Sequence, residues 1–365
     1  MDELVVFTGG GTGGHVFPGL AVAEELHASQ VRIAWIGSTR GMERRLLADS
    51  RIPFYGIPSG KLRRYFSIRN LTDIARVCAG FCAALCVLRR LRPKVVFSKG
   101  GYVSVPVVAA ARLLRIPTAT HESDADPGLA TRINARIAER VLISYESSRD
   151  YFPPEVRGKC VTVGNPVRRS LAAGDAGRGR KLLGFTADRP VVFFVGGSLG
   201  SAQINRLLAQ VLDDLLARAS VVHQRGEHPP PRPNGEGYVS FAFIREEFAD
   251  VLAAADLVVC RAGAGTLWEL ALMHKPSLLI PLSSTSSRGD QQRNARIFAE
   301  HGASRVLDGD SVTAELLFAE VTQLLEHEPE RKRMAEAAAG FDAAGAAGRI
   351  AAMIQDAVER GGWTS

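Results

Sequence analysis

Paired cysteines, zinc-ligand spacing and a membrane-length apolar run are all missing from this sequence. Its five cysteines, at positions 78, 82, 86, 160 and 260, are an odd number, with no Cys-x-x-Cys pair and no histidine at ligand spacing nearby. That excludes a disulfide framework and a zinc module, and leaves free thiols expected to lie buried in a reducing cytosol. Three of them recur every four residues, which puts them on one face of a helix. The longest apolar run, residues 77–88, falls short of the roughly 20 residues a bilayer span needs. The acidic start Met1-Asp2-Glu3 runs straight into a strand and does not read as a secretory signal. Acid is the scarcer charge: 38 Asp+Glu stand against 45 Lys+Arg, a net charge of +7. Such a balance points to an acidic partner, whether phosphorylated ligand, anionic membrane or nucleic acid. With 46% hydrophobic and 23% charged residues over 365 positions, the chain has the composition of a globular protein with room for two domains.

What is abundant is glycine after strands. Residues 4–7 form an apolar β-type run that breaks into Gly9-Gly10-Gly11-Thr12-Gly13-Gly14-His15 and then into a helical pattern over 16–26. Strand, glycine turn and helix together aim free N–H groups and a positive helix end at an anion, usually phosphate. Gly9-x-Gly11-x-x-Gly14 also fits the dinucleotide fingerprint, but the next strand, residues 31–36, ends in Gly37-Ser38-Thr39 without the carboxylate that a ribose requires. The phosphate reading survives and the NAD reading weakens.

Apolar runs alternate with amphipathic stretches along the chain. Residues 4–7, 31–36, 95–97, 118–120, 141–143 and 161–163 are predicted strands with helices between most of them. After Asn165-Pro166 and a polar, glycine-rich stretch at 173–180, expected to be a hinge, the pattern restarts at 191–195, 221–223, 239–243, 257–260, 278–280 and 304–307. Repeated βα units imply parallel sheets covered on both faces. The expectation is an α/β chain of two doubly wound, Rossmann-like domains with a cleft at the strands' carboxyl ends. Residues 229–237, with four prolines, form a surface loop, and the alanine-rich 334–358 reads as terminal helices. A second glycine turn, Gly196-Gly197-Ser198-Leu199-Gly200, follows residues 191–195, and a third, Arg261-Ala262-Gly263-Ala264-Gly265-Thr266, follows 257–260. Arg261 beside the third suits charge-assisted pairing with phosphate.

Residues 61–94 differ from the rest. Lys61, Arg63, Arg64, Arg69, Arg76, Arg89, Arg90, Arg92 and Lys94 are opposed by Asp73 alone and are interleaved with Leu62, Tyr65, Phe66, Ile68 and Phe81. This mixture suits an anionic membrane surface, at about 1 kcal/mol per cation, or else a solvated basic rim around a core helix. Nucleic acid is disfavoured, since no binding motif accompanies the charge. Gly196-x-Ser198-x-Gly200 also matches a hydrolase elbow, with His274 or His301 as formal partners, but a hydrolase explains neither of the other glycine turns. Asp124-Ala125-Asp126 spells a metal-diphosphate motif, yet it precedes Pro127 at a helix start, where capping is the expected role. His27, His228 and His327 are expected at the surface, His121 and His223 lining the cleft, and Trp268 packed against its neighbours.

Jointly these motifs resemble the MurG family, the N-acetylglucosaminyltransferases that make lipid II from lipid I in bacterial peptidoglycan synthesis. The resemblance is carried by Thr8 to His15 with Val16-Phe17-Pro18-Gly19, Ser98-Lys99-Gly100-Gly101-Tyr102, His121-Glu122-Ser123-Asp124, Gly164-Asn165-Pro166-Val167-Arg168, the second and third glycine turns with Glu269, and Asp290-Gln291-Gln292-Arg293-Asn294-Ala295. It implies a GT-B fold with an N-terminal lipid-acceptor domain (1–164, membrane segment 60–94), a C-terminal UDP-sugar domain (165–340) and a last helix (341–365) packing back on the first domain. It implies UDP-N-acetylglucosamine and an undecaprenyl-pyrophosphoryl-muramyl-peptide as substrates, no cofactor or metal, and cell-wall synthesis proteins as possible partners at the cytoplasmic face of the plasma membrane. Thr12, Gly13 and Gly14 are then expected near the donor sugar and acceptor pyrophosphate, and Arg168 and Ser198 at the donor's diphosphate. Glu269 falls at the ribose, the Ile244 backbone at the uracil, and Gln291 with Gln292 at the sugar. Arg261, Ala264, Gly265, Thr266 and Leu267 form the third turn's share of the donor site. His15 is expected to be the general base, since its ordinary pKa suits proton transfer near neutrality, with Asp124 as its rival. The chain departs from the family's pattern at Asp124, where many members have Asn, and at Asp290 and Arg288, in usual histidine and acidic positions. Rival readings are a non-catalytic nucleotide-sugar sensor and a GT-B transferase with another acceptor.

Overall fold

The structure is a computed structural model and describes residues 3–48, 50–60, 69–186, 188–197, 200–283 and 289–363. Two compact units emerge: residues 1–168 with 345–365, and residues 169–344.

The first unit runs β1 (Leu4–Thr8), α1 (Gly13–Ala28), β2 (Arg32–Ser38), α2 (Glu43–Leu46), β3 (Phe54–Ile57), α3 (Arg69–Leu91) and β4 (Val95–Ser98). It continues with α4 (Ser104–Leu113), β5 (Thr118–Glu122), α5 (Leu129–Ile137), β6 (Arg140–Ile143), α6 (Pro154–Arg157) and β7 (Cys160–Thr162). All seven strands are parallel in the order β3-β2-β1-β4-β5-β6-β7. The order reverses between β1 and β4, the switch point where doubly wound sheets bind ligands. Strand alternation explains the two-sided core. Val5 and Phe7 pack towards Val22 and Leu26 of α1, while Val6 packs with Ala84, Leu88 and Val107 of α3 and α4.

β3 escapes the sequence pattern because Phe54-Tyr55-Gly56-Ile57 is short, contains glycine and lies between Pro53 and Pro58. The cysteine expectation needs correction too. Cys160 and Cys260 are buried, but Cys78, Cys82 and Cys86 are exposed. The face of α3 that meets the sheet is Gly80, Ala84 and Leu88, also spaced by four, and the thiol stripe faces away from it.

The second unit runs α7 (Ala176–Leu183), β8 (Val191–Val195), α8 (Ala202–Leu216), β9 (Ser220–Gln224), β10 (Tyr238–Phe241), α9 (Phe248–Ala254) and β11 (Leu257–Cys260). Then follow α10 (Ala264–Leu272), β12 (Ser277–Leu279), α11 (Asp290–Glu300), β13 (Ser304–Val306), α12 (Ala314–Glu326) and α13 (Glu328–Ala339). Its six parallel strands are ordered β10-β9-β8-β11-β12-β13, with the switch point between β8 and β11. Residues 173–180, expected as a hinge, instead lead into and build most of α7. Asp175 caps that helix by accepting from the Arg178 N–H at 2.6 Å, and Arg178 pairs with Asp250 at 2.8 Å. Gly179 serves packing, not mobility: a Cβ there would stand 2.1 Å from the Asp250 carbonyl oxygen.

The last helix, α14 (Ala346–Arg360), returns to the first unit. Ile350, Ile354 and Val358 enter the same core as α1, and Arg349 donates to the Val163 carbonyl at 3.0 Å. Among the described residues no helix is long and apolar enough to cross a membrane.

Candidate active site

In the first unit the site residues gather at the carboxyl ends of β1, β4 and β5. The loop after β1 is tied to the core by Trp35, whose Nε1 donates to the Gly9 carbonyl at 3.0 Å. Thr12, in extended conformation, starts α1, and its Oγ1 lies 2.7 Å from His15 Nδ1. Thr12 and Gly14 are exposed, while Gly13 and His15 are half-buried. The turn after β4 packs against this loop. Gly100 and Gly101 sit at φ +84° and +79°, and a Cβ on Gly101 would stand 2.3 Å from the Gly10 carbonyl oxygen. A Cβ on Gly100 would lie 3.4 Å from His15 Cδ2, so this glycine turn forms one wall beside the imidazole.

Lys99, in the same turn, has no role in the sequence reading, and the structure gives it a prominent one. It is 2% exposed, and its Nζ lies 2.5 Å from His121 Nδ1 and 2.7 Å from Ser123 Oγ. His121 Nε2 is 2.9 Å from the Gly164 carbonyl, which can only accept. The ring proton therefore sits on Nε2, and Nδ1 accepts from Lys99. Ser123 Oγ in turn donates to Asn165 Oδ1 at 2.8 Å. Burial pulls the Lys99 amine down to about 7, against the opposing attraction of Glu122 and Asp124. Burial, then the Lys99 charge, holds the His121 imidazole well below its ordinary value, partly offset by the Gly164 hydrogen bond. His121 is thus a neutral, fully enclosed member of a network and does not line an open surface.

Asp124 sits on a turn shaped by Glu122, whose Oε1 accepts from the N–H groups of Ser123 at 2.9 Å and Asp124 at 3.1 Å. The expected capping by Asp124 and Asp126 is corrected here. α5 begins after Gly128, whose N–H donates to Glu122 Oε2 at 3.0 Å, and Asp126 pairs with Arg132 at 2.7 Å. Among the described residues no cluster of three or more His, Cys, Asp or Glu side chains is arranged for a metal ion. Arg168 belongs to the first unit and lies over the Phe17 ring of α1, 5.3 Å from its centroid.

In the second unit the site residues gather at the ends of β8, β9, β11 and β12. Ser198 lies outside the described residues, as do Arg288 and, in the basic segment, Lys61, Arg63 and Arg64. Gln224 connects the rest. Its Nε2 donates to the Gly197 carbonyl at 3.3 Å, and its Oε1 accepts from the Ile244 N–H at 3.0 Å. The third turn leads into α10, capped by Gly263. Leu267 N–H already bonds the Gly263 carbonyl, whereas Ala264, Gly265 and Thr266 occupy the first turn, where N–H groups face an incoming anion. Ala264 and Leu267 bury their side chains, so only backbone from these two can meet a ligand.

Arg261 turns the other way from the phosphate expectation. Its Nη1 donates to the carbonyls of Ile280 at 3.0 Å and Pro281 at 3.3 Å, and burial lowers its pKa. Glu269 is half-buried on α10, close enough to help burial push the Cys260 thiol up to about 12. Gln291 Oε1 accepts from the Leu282 N–H at 3.0 Å, and Gln292 is half-buried beside it. Asn294, fully buried, ties α11 to the third turn through the Ala262 carbonyl at 3.3 Å. His223, also expected to line the cleft, is fully buried between Tyr238 and Asn205, and burial takes its pKa down to about 4. Trp268 packs edge-on to Phe341 at 5.9 Å.

Residues 5–143 match the glycosyltransferase family 28 N-terminal domain, and residues 191–350 match that family's C-terminal domain. A protein of Treponema denticola is 45% identical over 336 residues, 86% of this chain and 86% of its own length. It is named UDP-N-acetylglucosamine–N-acetylmuramyl-(pentapeptide) pyrophosphoryl-undecaprenol N-acetylglucosamine transferase. The protein of that name from Treponema pallidum is 42% identical over 371 residues, covering 98% of this chain and 97% of the relative. The chain belongs to the MurG family of glycosyltransferases. The crystal structure of Acinetobacter baumannii MurG shares the fold with a TM-score of 0.75 at 29% identity, over 97% of this chain and 99% of that one.

Proposed function

We propose that this chain transfers N-acetylglucosamine from UDP-N-acetylglucosamine to the 4-hydroxyl of an N-acetylmuramyl-peptide pyrophosphoryl-undecaprenol, with inversion at the anomeric carbon. The observation that carries this reading is the end-to-end relationship to proteins named for that transfer. The hydroxyl oxygen forms a bond to C1, the C1–O bond to UDP breaks, and UDP leaves with the electron pair. Where His15 Nδ1–H donates to Thr12 Oγ1, Nε2 is the ring atom that takes the hydroxyl proton. Asp124 is the rival base. The first turn of α1, with Thr12, Gly13 and Gly14, meets the acceptor's pyrophosphate, and Arg168 and Ser198 stabilise the departing diphosphate. Glu269 accepts from the ribose diol and Gln291 from the sugar hydroxyls. With the Ile244 N–H engaged by Gln224, its carbonyl is left to read the uracil.

Membrane association belongs to the same reading. The outward face of α3 carries Ile74, Cys78, Cys82 and Cys86 together with Arg76, Arg89 and Arg90, an apolar stripe among cations suited to an anionic bilayer surface. The deciding experiment compares single-turnover rates of His15→Ala and Asp124→Asn after both are shown to bind UDP-N-acetylglucosamine normally. His15→Ala should lose about 10²–10⁴-fold, as removal of a general base does, while Asp124→Asn stays mild. A dead Asp124→Asn beside an active His15→Ala reassigns the base.

A further inference from the structure

Glu43, the first residue of α2, is completely buried, yet none of the roles above uses it. Its two carboxylate oxygens hold two different peptides. Oε1 accepts from the Ser38 N–H at the end of β2 at 2.7 Å, and Oε2 accepts from the Gly11 N–H in the loop before α1 at 3.1 Å. The carboxylate lies so close under the loop that a Cβ on Gly10 would come within 2.4 Å of it.

Two N–H donors facing one side chain require an acceptor at both oxygens. A carboxylate meets that demand, whereas an amide must turn its NH₂ towards one of the two donors. A buried carboxylate left without such bonds is costly, so the loop and the acid each depend on the other. Gly11 sits one residue before Thr12, and Thr12 holds His15. The sequence reading sought a carboxylate at the end of the second strand for a ribose; here one arrives six residues past Gly37 and grips the protein's own loop.

We propose that Glu43 is a positioning residue for transfer: it fixes the Gly11 peptide and so sets the Thr12–His15 pair at the acceptor hydroxyl. This rests on the reading of His15 as the base. It also takes the Gly11 N–H away from any bound phosphate, which leaves the first turn of α1 as the loop's anion-facing part.

The test is steady-state kinetics with a soluble acceptor analogue on Glu43→Gln, Glu43→Asp, His15→Ala and the double variant His15→Ala/Glu43→Gln. Glu43→Gln is isosteric and should lower kcat on the order of 10–100-fold, the scale of a misplacement of about 1 Å in a reacting group. Its KM for UDP-N-acetylglucosamine should hold, and Glu43→Asp should recover part of the loss. Because Glu43 acts through His15, the double variant should be no slower than His15→Ala alone. Near-normal kcat in Glu43→Gln while His15→Ala is disabled overturns this proposal alone, as do losses that multiply in the double variant. A donor KM rising in step with the fall in kcat overturns it as well. Full turnover by His15→Ala removes the base assignment and this proposal with it. If Glu43→Gln does not fold, as judged by near-ultraviolet circular dichroism, Glu43→Asp in the two His15 backgrounds decides by the same criteria.

Discussion

Replacing Lys99 with methionine should change how the first unit's stability depends on pH, and the size of the change follows from the buried amine. In the folded chain the amine titrates at about 7 against an ordinary value of 10.5. Between these values the unfolded chain holds a proton that the folded chain has released, so stability rises with pH across that window. Below about pH 7 both states are protonated, and the cost of burying the charge is fully present. Above about pH 10.5 neither is protonated, and the cost is gone. Integrating the linkage gives a penalty of about 4 kcal/mol at pH 7 and about 2 kcal/mol at pH 9, hence a gain of about 2 kcal/mol between them. Lys99→Met abolishes that gain. It also leaves His121 Nδ1 and Ser123 Oγ without their donor, at about 1–3 kcal/mol, but this is a constant offset because His121 titrates below the window. Urea unfolding at pH 7, 8 and 9 measures the effect. Trp35 and Trp363 lie in the first unit and Trp268 in the second, so a Trp268→Phe background makes fluorescence report the first unit alone. An equal rise with pH in both proteins would show that Lys99 is charged in the fold and the reasoning wrong.

Other outcomes follow from the same structure. Glu269→Ala should weaken UDP-N-acetylglucosamine binding by about 1–3 kcal/mol in calorimetry with vesicle binding intact; unchanged affinity removes Glu269 from the ribose. Changing Arg63, Arg64 and Arg69 to Glu should release the chain from anionic vesicles in sedimentation, and high salt should mimic this, since exposed charges are screened beyond about 8–10 Å. A variant that still sediments at low salt marks the basic segment as a solvated rim. In the native chain Cys78, Cys82 and Cys86 should react quickly with a maleimide, and anionic vesicles should slow them. Cys160 and Cys260 should react only after unfolding, Cys260 being both buried and pushed up to about 12.

Strands buried on both faces are the part of this fold most open to sequence reading, because burial writes continuous β-branched runs such as 4–7, 191–195 and 257–260. The errors came where one pattern serves two purposes. Glycine at 179 reads as flexibility, but in α7 it permits the helix to approach the Asp250 backbone. A four-residue spacing reads as a helix face without saying which face is inward, and in α3 the thiols and the small residues have the same spacing. Acidic residues before a helix read as caps, yet the residue at the N-cap of α5 is Gly128, and its N–H goes to Glu122, at the end of the preceding strand.

The site itself was legible as motifs but not as a mechanism of support. The loop from Gly9 to His15 announces itself, whereas the groups that hold it come from elsewhere: Trp35 from β2, Glu43 from α2 and Gly100-Gly101 from the turn after β4. Each is close only because β2, β1 and β4 are neighbours in the sheet, an adjacency that chain order hides. Parallel pairing brings all their carboxyl ends to one edge. A loop there collects braces from both sides of the switch point, while its outer side stays open to solvent, as exposed Thr12 and Gly14 show. Lys99 and His121 follow the same logic one strand further along, joining the ends of β4 and β5 to Gly164 and Asn165 beyond β7. Such a loop can keep a base in one orientation without a regular ladder of its own. For that reason substitutions at these buried braces should register in turnover before they register in donor binding.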